Sequence, residues 1–118
     1  MTGTLSTSLA SLLDGVRDGR SAFLMDADGV LVAVSGDSPA IAEPLAGEYV
    51  GILHEAVSLC EAEGWGALRA LAVRGKALRV VMVPASGGLT VGLSGGPASF
   101  LSQLRQTAGA AAPAFRNP

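Results

Sequence analysis

Two short apolar runs meet across Asp28-Gly29 in the stretch FLMDADGVLVAV, residues 23–34. An Asp-Gly pair between such runs specifies a β-hairpin, because glycine accepts the positive φ that a tight turn demands. The pair of aspartates also invites a metal reading. A calcium loop of the EF-hand type needs glycine at its sixth position, and counted from Asp26 that position is Leu31. We therefore read Asp26 and Asp28 as turn chemistry. The runs are apolar almost throughout rather than alternating, as in strands covered on both faces, so helices are expected on both sides of the sheet.

The rest of the chain supplies those helices. Leu5, Leu9, Leu12, Leu13 and Val16 recur at helical spacing and predict a helix over 5–16, stopped by Gly15 or Gly19. Strands are expected over 22–25 and 30–34. From residue 40 to 63 the pattern is helical again, with Ala42, Leu45, Ala46, Tyr49, Leu53, Ala56, Val57 and Cys60 as its buried stripe. Ser38-Pro39 is a suitable cap and first-turn pair, whereas Pro44 marks a later start or a kink. Three strands follow, over 65–74, 77–84 and 89–94, with turns at Gly75-Lys76 and Ser86-Gly87-Gly88. A last helix opens at Pro97 and carries Phe100, Leu101, Leu104 and Ala108 on one face. The order α-β-β-α-β-β-β-α predicts an α/β fold. Its simplest packing is an α/β/α sandwich with a five-stranded, mostly antiparallel sheet and helices on both faces. We expect one domain over 1–108 and a flexible tail over 109–118.

Composition narrows the function classes. A net charge of −2 leaves no basic patch to follow a phosphate backbone, so nucleic acid is not an expected partner. No run of about 18 uncharged apolar residues predicts a membrane span. The first twenty residues lack the basic start of a signal peptide, and the single cysteine, Cys60, forms no internal disulfide. These features point to the cytoplasm, and the arginine, alanine and glycine bias fits a GC-rich bacterial genome. With 49% hydrophobic and 15% charged residues, a chain this short leaves a face for a partner to cover.

No reaction centre is visible. His54 and Cys60 are six apart on one helix and point to different sides, which reads as a surface histidine and a buried thiol. No set of zinc ligands exists, and no serine sits in G-x-S-x-G. The turn GLSGGP, residues 92–97, lacks the lysine of a phosphate loop and reads as strand-to-helix geometry. We expect no catalytic residues, no metal and no cofactor.

The long helix carries another signal. On the side away from its buried stripe lie Gly47, Gly51 and Ser58, with His54 and Glu55 between them. Each glycine costs a helix about 1 kcal/mol relative to alanine. Two readings stay open: a second backbone approaches closely along this face, or the glycines are incidental or bend the helix. A self-pairing helix would give the isologous contact of a two-fold dimer. The strand expected at Trp65 carries Arg69 and is a candidate edge, where a copy could pair or the arginines could guard against pairing.

Three ordered marks resemble the Roadblock family, named for the roadblock-type dynein light chains. They are the helix, glycine break and D-x-D-G hairpin in LLDGVRDGRSAFLMDADGVLVAVSG, the long helix from Ala40 to Glu63, and the R-G hairpin, apolar strand and glycine turn in VRGKALRVVMVPASGGLTVGLS. The resemblance spans about residues 5–108. It implies a homodimeric, non-enzymatic α/β/α module that binds small Ras-like GTPases, as do bacterial MglB-like gliding-motility regulators, some of which stimulate GTP hydrolysis. On that analogy Glu48, Gly51, His54, Glu55 and Ser58 lie near the dimer axis or on the partner-facing surface. Pro44 departs from an uninterrupted central helix, and no residue stands out as an arginine finger. The rival functions are a dimeric scaffold without effect on hydrolysis and a small-molecule sensor. The sensor would need polar residues between sheet and helix, where the sequence offers apolar strands.

Overall fold

The computed structural model describes residues 2–115. Its elements are α1 (Thr2–Asp14), β1 (Gly19–Met25), β2 (Leu31–Ser35), α2 (Pro39–Ala62), β3 (Leu71–Arg74), β4 (Arg79–Pro84), β5 (Thr90–Gly95) and α3 (Leu101–Ala111), with 3-10 turns at Ser86–Gly88 and Ala112–Ala114. The expected element order holds. The sheet has the order β2-β1-β5-β4-β3, and every neighbouring pair is antiparallel.

Strand alternation divides the core in two. Ala22 and Leu24 of β1, Val81 and Val83 of β4, and Val91 and Leu93 of β5 meet Leu9 of α1 and Leu104 and Ala108 of α3. On the opposite face Phe23, Met25, Val80 and Met82 meet Ala46 and Leu53 of α2. The near-continuous apolar runs thus have the cause inferred from the sequence: both faces are covered.

Phe23 requires special room. Its ring lies over Gly92 of β5, where an added Cβ would fall 2.0 Å from the end of the ring, and it stacks on Tyr49 of α2 at 5.4 Å between centroids. The glycines of the GLSGGP turn are geometric too. A Cβ on Gly95 would meet Ser99, and one on Gly96 would meet Asp18 and Arg20.

Several boundaries differ from expectation. Helix α1 spans Thr2–Asp14 rather than 5–16, and β1 starts three residues earlier than predicted. Helix α2 runs through Pro44 without a break. The ring leaves the Ala40 carbonyl without its intrahelical donor, but Ala40 is exposed, so water can serve it. The strand expected over 65–74 forms only at Leu71–Arg74. Gly64 and Gly66 both take positive φ and hold the preceding segment out of the ladder.

Helix α3 begins at Leu101, not Pro97. Phe100, assigned to its buried face, precedes the helix and is exposed, with the Arg17 guanidinium 5.6 Å from its ring centroid. The segment expected to be a flexible tail is structured as far as Phe115: α3 continues to Ala111, and Ala112 and Phe115 are buried in the core beneath α1 and α3. Residues 116–118 of that expectation lie outside the described residues.

Candidate interaction surface

The β1–β2 hairpin fixes α2 on the sheet. The Asp26 carboxylate accepts hydrogen bonds from the backbone N–H of Asp28 at 2.9 Å and of Val30 at 3.0 Å. The Gly29 N–H donates to the Asp26 carbonyl, and Gly29 has φ +82°. The Asp26 carboxylate is therefore turn chemistry, as read, and Asp28 joins the turn through its backbone N–H. Gly29 also lets the turn approach α2 closely, since a Cβ there would fall 2.5 Å from Val50. His54 completes the junction: its Nε2 lies 3.1 Å from the Ala27 carbonyl oxygen, a hydrogen bond in which the ring N–H donates. His54 is exposed, but it belongs to the hairpin flank of the helix rather than to a free outer face.

The outer face of α2 is bare. Gly47 and Gly51 have no heavy atom within 4 Å of an added Cβ, and Glu48, Glu55 and Ser58 are exposed beside them. No packing within the described residues accounts for two glycines in this helix. Cys60, read as a buried thiol, is only half-buried.

The sequence reading missed a second feature. Ile41, Leu45, Ile52 and Leu59 are all large, apolar and exposed. At i, i+4, i+11 and i+18 they form one ridge along the helix. Leu45, expected in the buried stripe, belongs to this ridge. The signal was present as an apolar line offset from the stripe that reaches the sheet. Leu45 shares a cavity lining with Leu78 of the β3–β4 turn, so the ridge lies on the flank of α2 facing the β4–β3 half of the sheet.

Strand β3 is an edge of the sheet, with four residues and Val73 exposed on the α2 side. Trp65 is not on this strand. Its backbone N–H closes the end of α2 by donating to the Cys60 carbonyl at 2.9 Å, and the residue is 67% exposed. Arg69 is exposed in the extended segment ahead of β3. The structure therefore gathers Gly47, Glu48, Gly51, Glu55 and Ser58 on one surface. It puts His54 on the hairpin flank, and Trp65 and Arg69 on the connection between helix and edge.

At the opposite end of β1 a compact polar junction joins the chain's strand-to-helix corners. Asp18 has φ 53°, its carboxylate accepts from the Ala98 N–H at 3.0 Å, and its carbonyl accepts from the Gly96 N–H at 2.9 Å. The hydrogen bond from Ala98 holds the Asp18 carboxyl below its ordinary pKa, with the Arg20 guanidinium helping and partial desolvation opposing. These are the bonds of a structural corner.

No family model matches the chain, and no curated protein matches its sequence. Solved structures do match its fold. A Roadblock/LC7 domain from Streptomyces avermitilis superposes with a TM-score of 0.86 at 20% identity, over 92% of each chain. The gliding protein MglB from Thermus thermophilus gives 0.84 at 17% identity, covering 96% of this chain and 86% of that one. MglB from Myxococcus xanthus gives 0.82 at 16% identity, covering 94% and 84%. The chain has the Roadblock fold, as the sequence resemblance implied.

Proposed function

We propose that this protein is a homodimeric regulatory module that binds a small Ras-like GTPase and modulates it without catalysing a reaction of its own. The observation that carries the dimer is the exposed flank of α2. Four large apolar side chains line one side, two bare glycines open the adjacent outer face, and the β3 edge lies beyond. Glycines at helical spacing let a second helix backbone come close, and ridge residues can fill the grooves of a copy. Pairing β3 with its symmetry mate would satisfy an open edge and join two sheets. The acidic residues Glu48 and Glu55, with Ser58, would then border the paired helices and face a partner; Trp65 and Arg69 would lie at the rim.

The GTPase as partner rests on the sequence resemblance and on the shared fold with MglB; fold alone does not fix function. No helix among the described residues is long and apolar enough to cross a membrane, which fits the proposed cytoplasmic setting. The test is GTP turnover by a Ras-like GTPase encoded beside this protein, with and without it. A complex that depends on the bound nucleotide, together with altered turnover, supports a regulator. A nucleotide-independent complex with unchanged turnover would instead support the scaffold reading.

A further inference from the structure

Between the N-terminal half of α2 and the sheet lies a cavity of about 140 Å³. Its walls include Phe23 and Tyr49, and its apolar roof and side are Ala42, Leu45, Ala46 and Leu78. Its floor is polar. Ser21 of β1 and Ser94 of β5 are directly paired across the antiparallel ladder, so both side chains emerge side by side on the α2 face. Both residues are buried, at 3% and 4% exposure, and both line the cavity. No side-chain hydrogen bond among the described residues engages either hydroxyl. Thr90 is a third buried hydroxyl residue on this face of β5, so the layer read as apolar from the sequence is not.

Two opposite charges stand at the rim. Arg20 contributes a guanidinium whose Nε is 3.4 Å from Asp18, leaving its other donors available. Asp37, on the β2–α2 connection, contributes a carboxylate. A simple anion would meet Asp37 and a simple cation would meet Arg20. A molecule carrying both charges on neighbouring atoms satisfies both, with the serine hydroxyls free to donate to its carboxylate. The volume sets the size: a cavity of about 150 Å³ holds a molecule such as benzene, so the apolar part should be a short aliphatic chain set against Ala42, Leu45, Ala46 and Leu78.

We propose that this cavity binds a small zwitterion of the α-amino-acid class with an aliphatic side chain, its carboxylate toward Arg20, Ser21 and Ser94 and its ammonium toward Asp37. Tyr49 stands over the same space. Burial, and secondarily the Asp37 carboxylate, raises its phenol above the ordinary pKa of 10.0, so it is a neutral hydrogen-bonding group there. The site joins the hairpin face of the sheet to α2, and ligand occupancy would stiffen the helix that presents the interaction surface.

The proposal does not depend on any GTPase, because binding is measured on this protein alone. Leucine and valine would be titrated by calorimetry and by amide chemical shifts, beside 4-methylpentanoate and isoamylamine, which each keep one charge of leucine. The expected result is saturable binding of the amino acids, with shifts centred on residues 20–23, 37–49 and 94, and binding of either single-charge analogue weaker by roughly tenfold or more. Asp37→Asn lies on a connection and should fold normally. It is expected to weaken leucine roughly tenfold or more and to leave the weak 4-methylpentanoate binding equal or stronger. Ser21→Ala serves as the second variant and should weaken leucine and 4-methylpentanoate alike. Absence of amino-acid binding, equal binding of the monovalent acid, shifts elsewhere, or an unchanged affinity in Asp37→Asn would each overturn the assignment.

Discussion

Replacing Gly92 by alanine tests the packing that holds α2 on the sheet. The backbone at Gly92 needs no positive φ, so the effect is one of space alone. An added methyl would sit 2.0 Å from the tip of the Phe23 ring and 2.3–2.4 Å from its flanking edge carbons. The ring is buried and stacked on Tyr49, so yielding into the cavity that it borders would break that stacking. Overpacking of this kind costs about 1–3 kcal/mol. Phe23→Leu removes the atoms that clash, so the two changes should not add. In the Phe23→Leu background, Gly92→Ala should cost less by about 1 kcal/mol or more, within the usual range for contacting pairs. Urea unfolding of the four proteins of the cycle measures this coupling, and equal m-values would confirm a common unfolding reaction. If Gly92→Ala costs less than about 0.5 kcal/mol, or costs the same in both backgrounds, the account of Phe23 as a ring held between Gly92 and Tyr49 is wrong.

Four further outcomes follow from other parts of the molecule. Ile52→Glu alters a side chain that is 44% exposed, so it should change monomer stability by only about 0.5 kcal/mol while weakening self-association at least tenfold, read by sedimentation. Trp65 is the sole tryptophan, and its emission should move to shorter wavelength when the proposed GTPase binds, with no shift on adding an unrelated protein. Asp18→Asn should destabilise at neutral pH. Because the folded carboxyl titrates below its ordinary value of 3.8, that stabilisation is present above pH 3.8 and lost as pH falls through the depressed value; the gap between wild type and variant in urea midpoint should close there. Phe115→Ala should cost about 3–5 kcal/mol in urea unfolding, as for a core residue and unlike a residue of a loose tail.

The order of elements was legible because it is written in short-range chemistry. Asp28-Gly29 can be little else than a hairpin between apolar runs, and the long helix declares itself by periodicity. What escaped was tertiary. Nothing local distinguishes Leu45, which is exposed, from Ala46, which is buried against the sheet; the difference lies in which side of α2 the tertiary packing turns inward. Trp65 has strong strand propensity, yet two flanking glycines with positive φ delay the ladder to Leu71. Phe115 follows a proline in a stretch of small residues, which resembles a loose tail until α3 carries it back over the core. The candidate surface was half legible: Gly47, Gly51, Glu48, Glu55 and Ser58 do share one exposed face, while the ridge beside them was hidden by a single-stripe view of the helix. His54 was placed on the right element, but its partner, the Ala27 carbonyl, is 27 residues away in sequence. The buried Ser21–Ser94 pair depends on strand register, which pairs residues 73 positions apart and leaves no local trace.

The proposal that this chain works as a pair through α2 and the β3 edge meets its most direct test in the mass of the protein in solution, by light scattering behind a sizing column over a hundredfold range of dilution. The account predicts a mass of about twice the 11.8 kDa of one chain, falling toward the monomer for Ile52→Glu. A wild-type mass of one chain at every concentration would contradict it, leaving the glycines and the apolar ridge of α2 without the partner they imply.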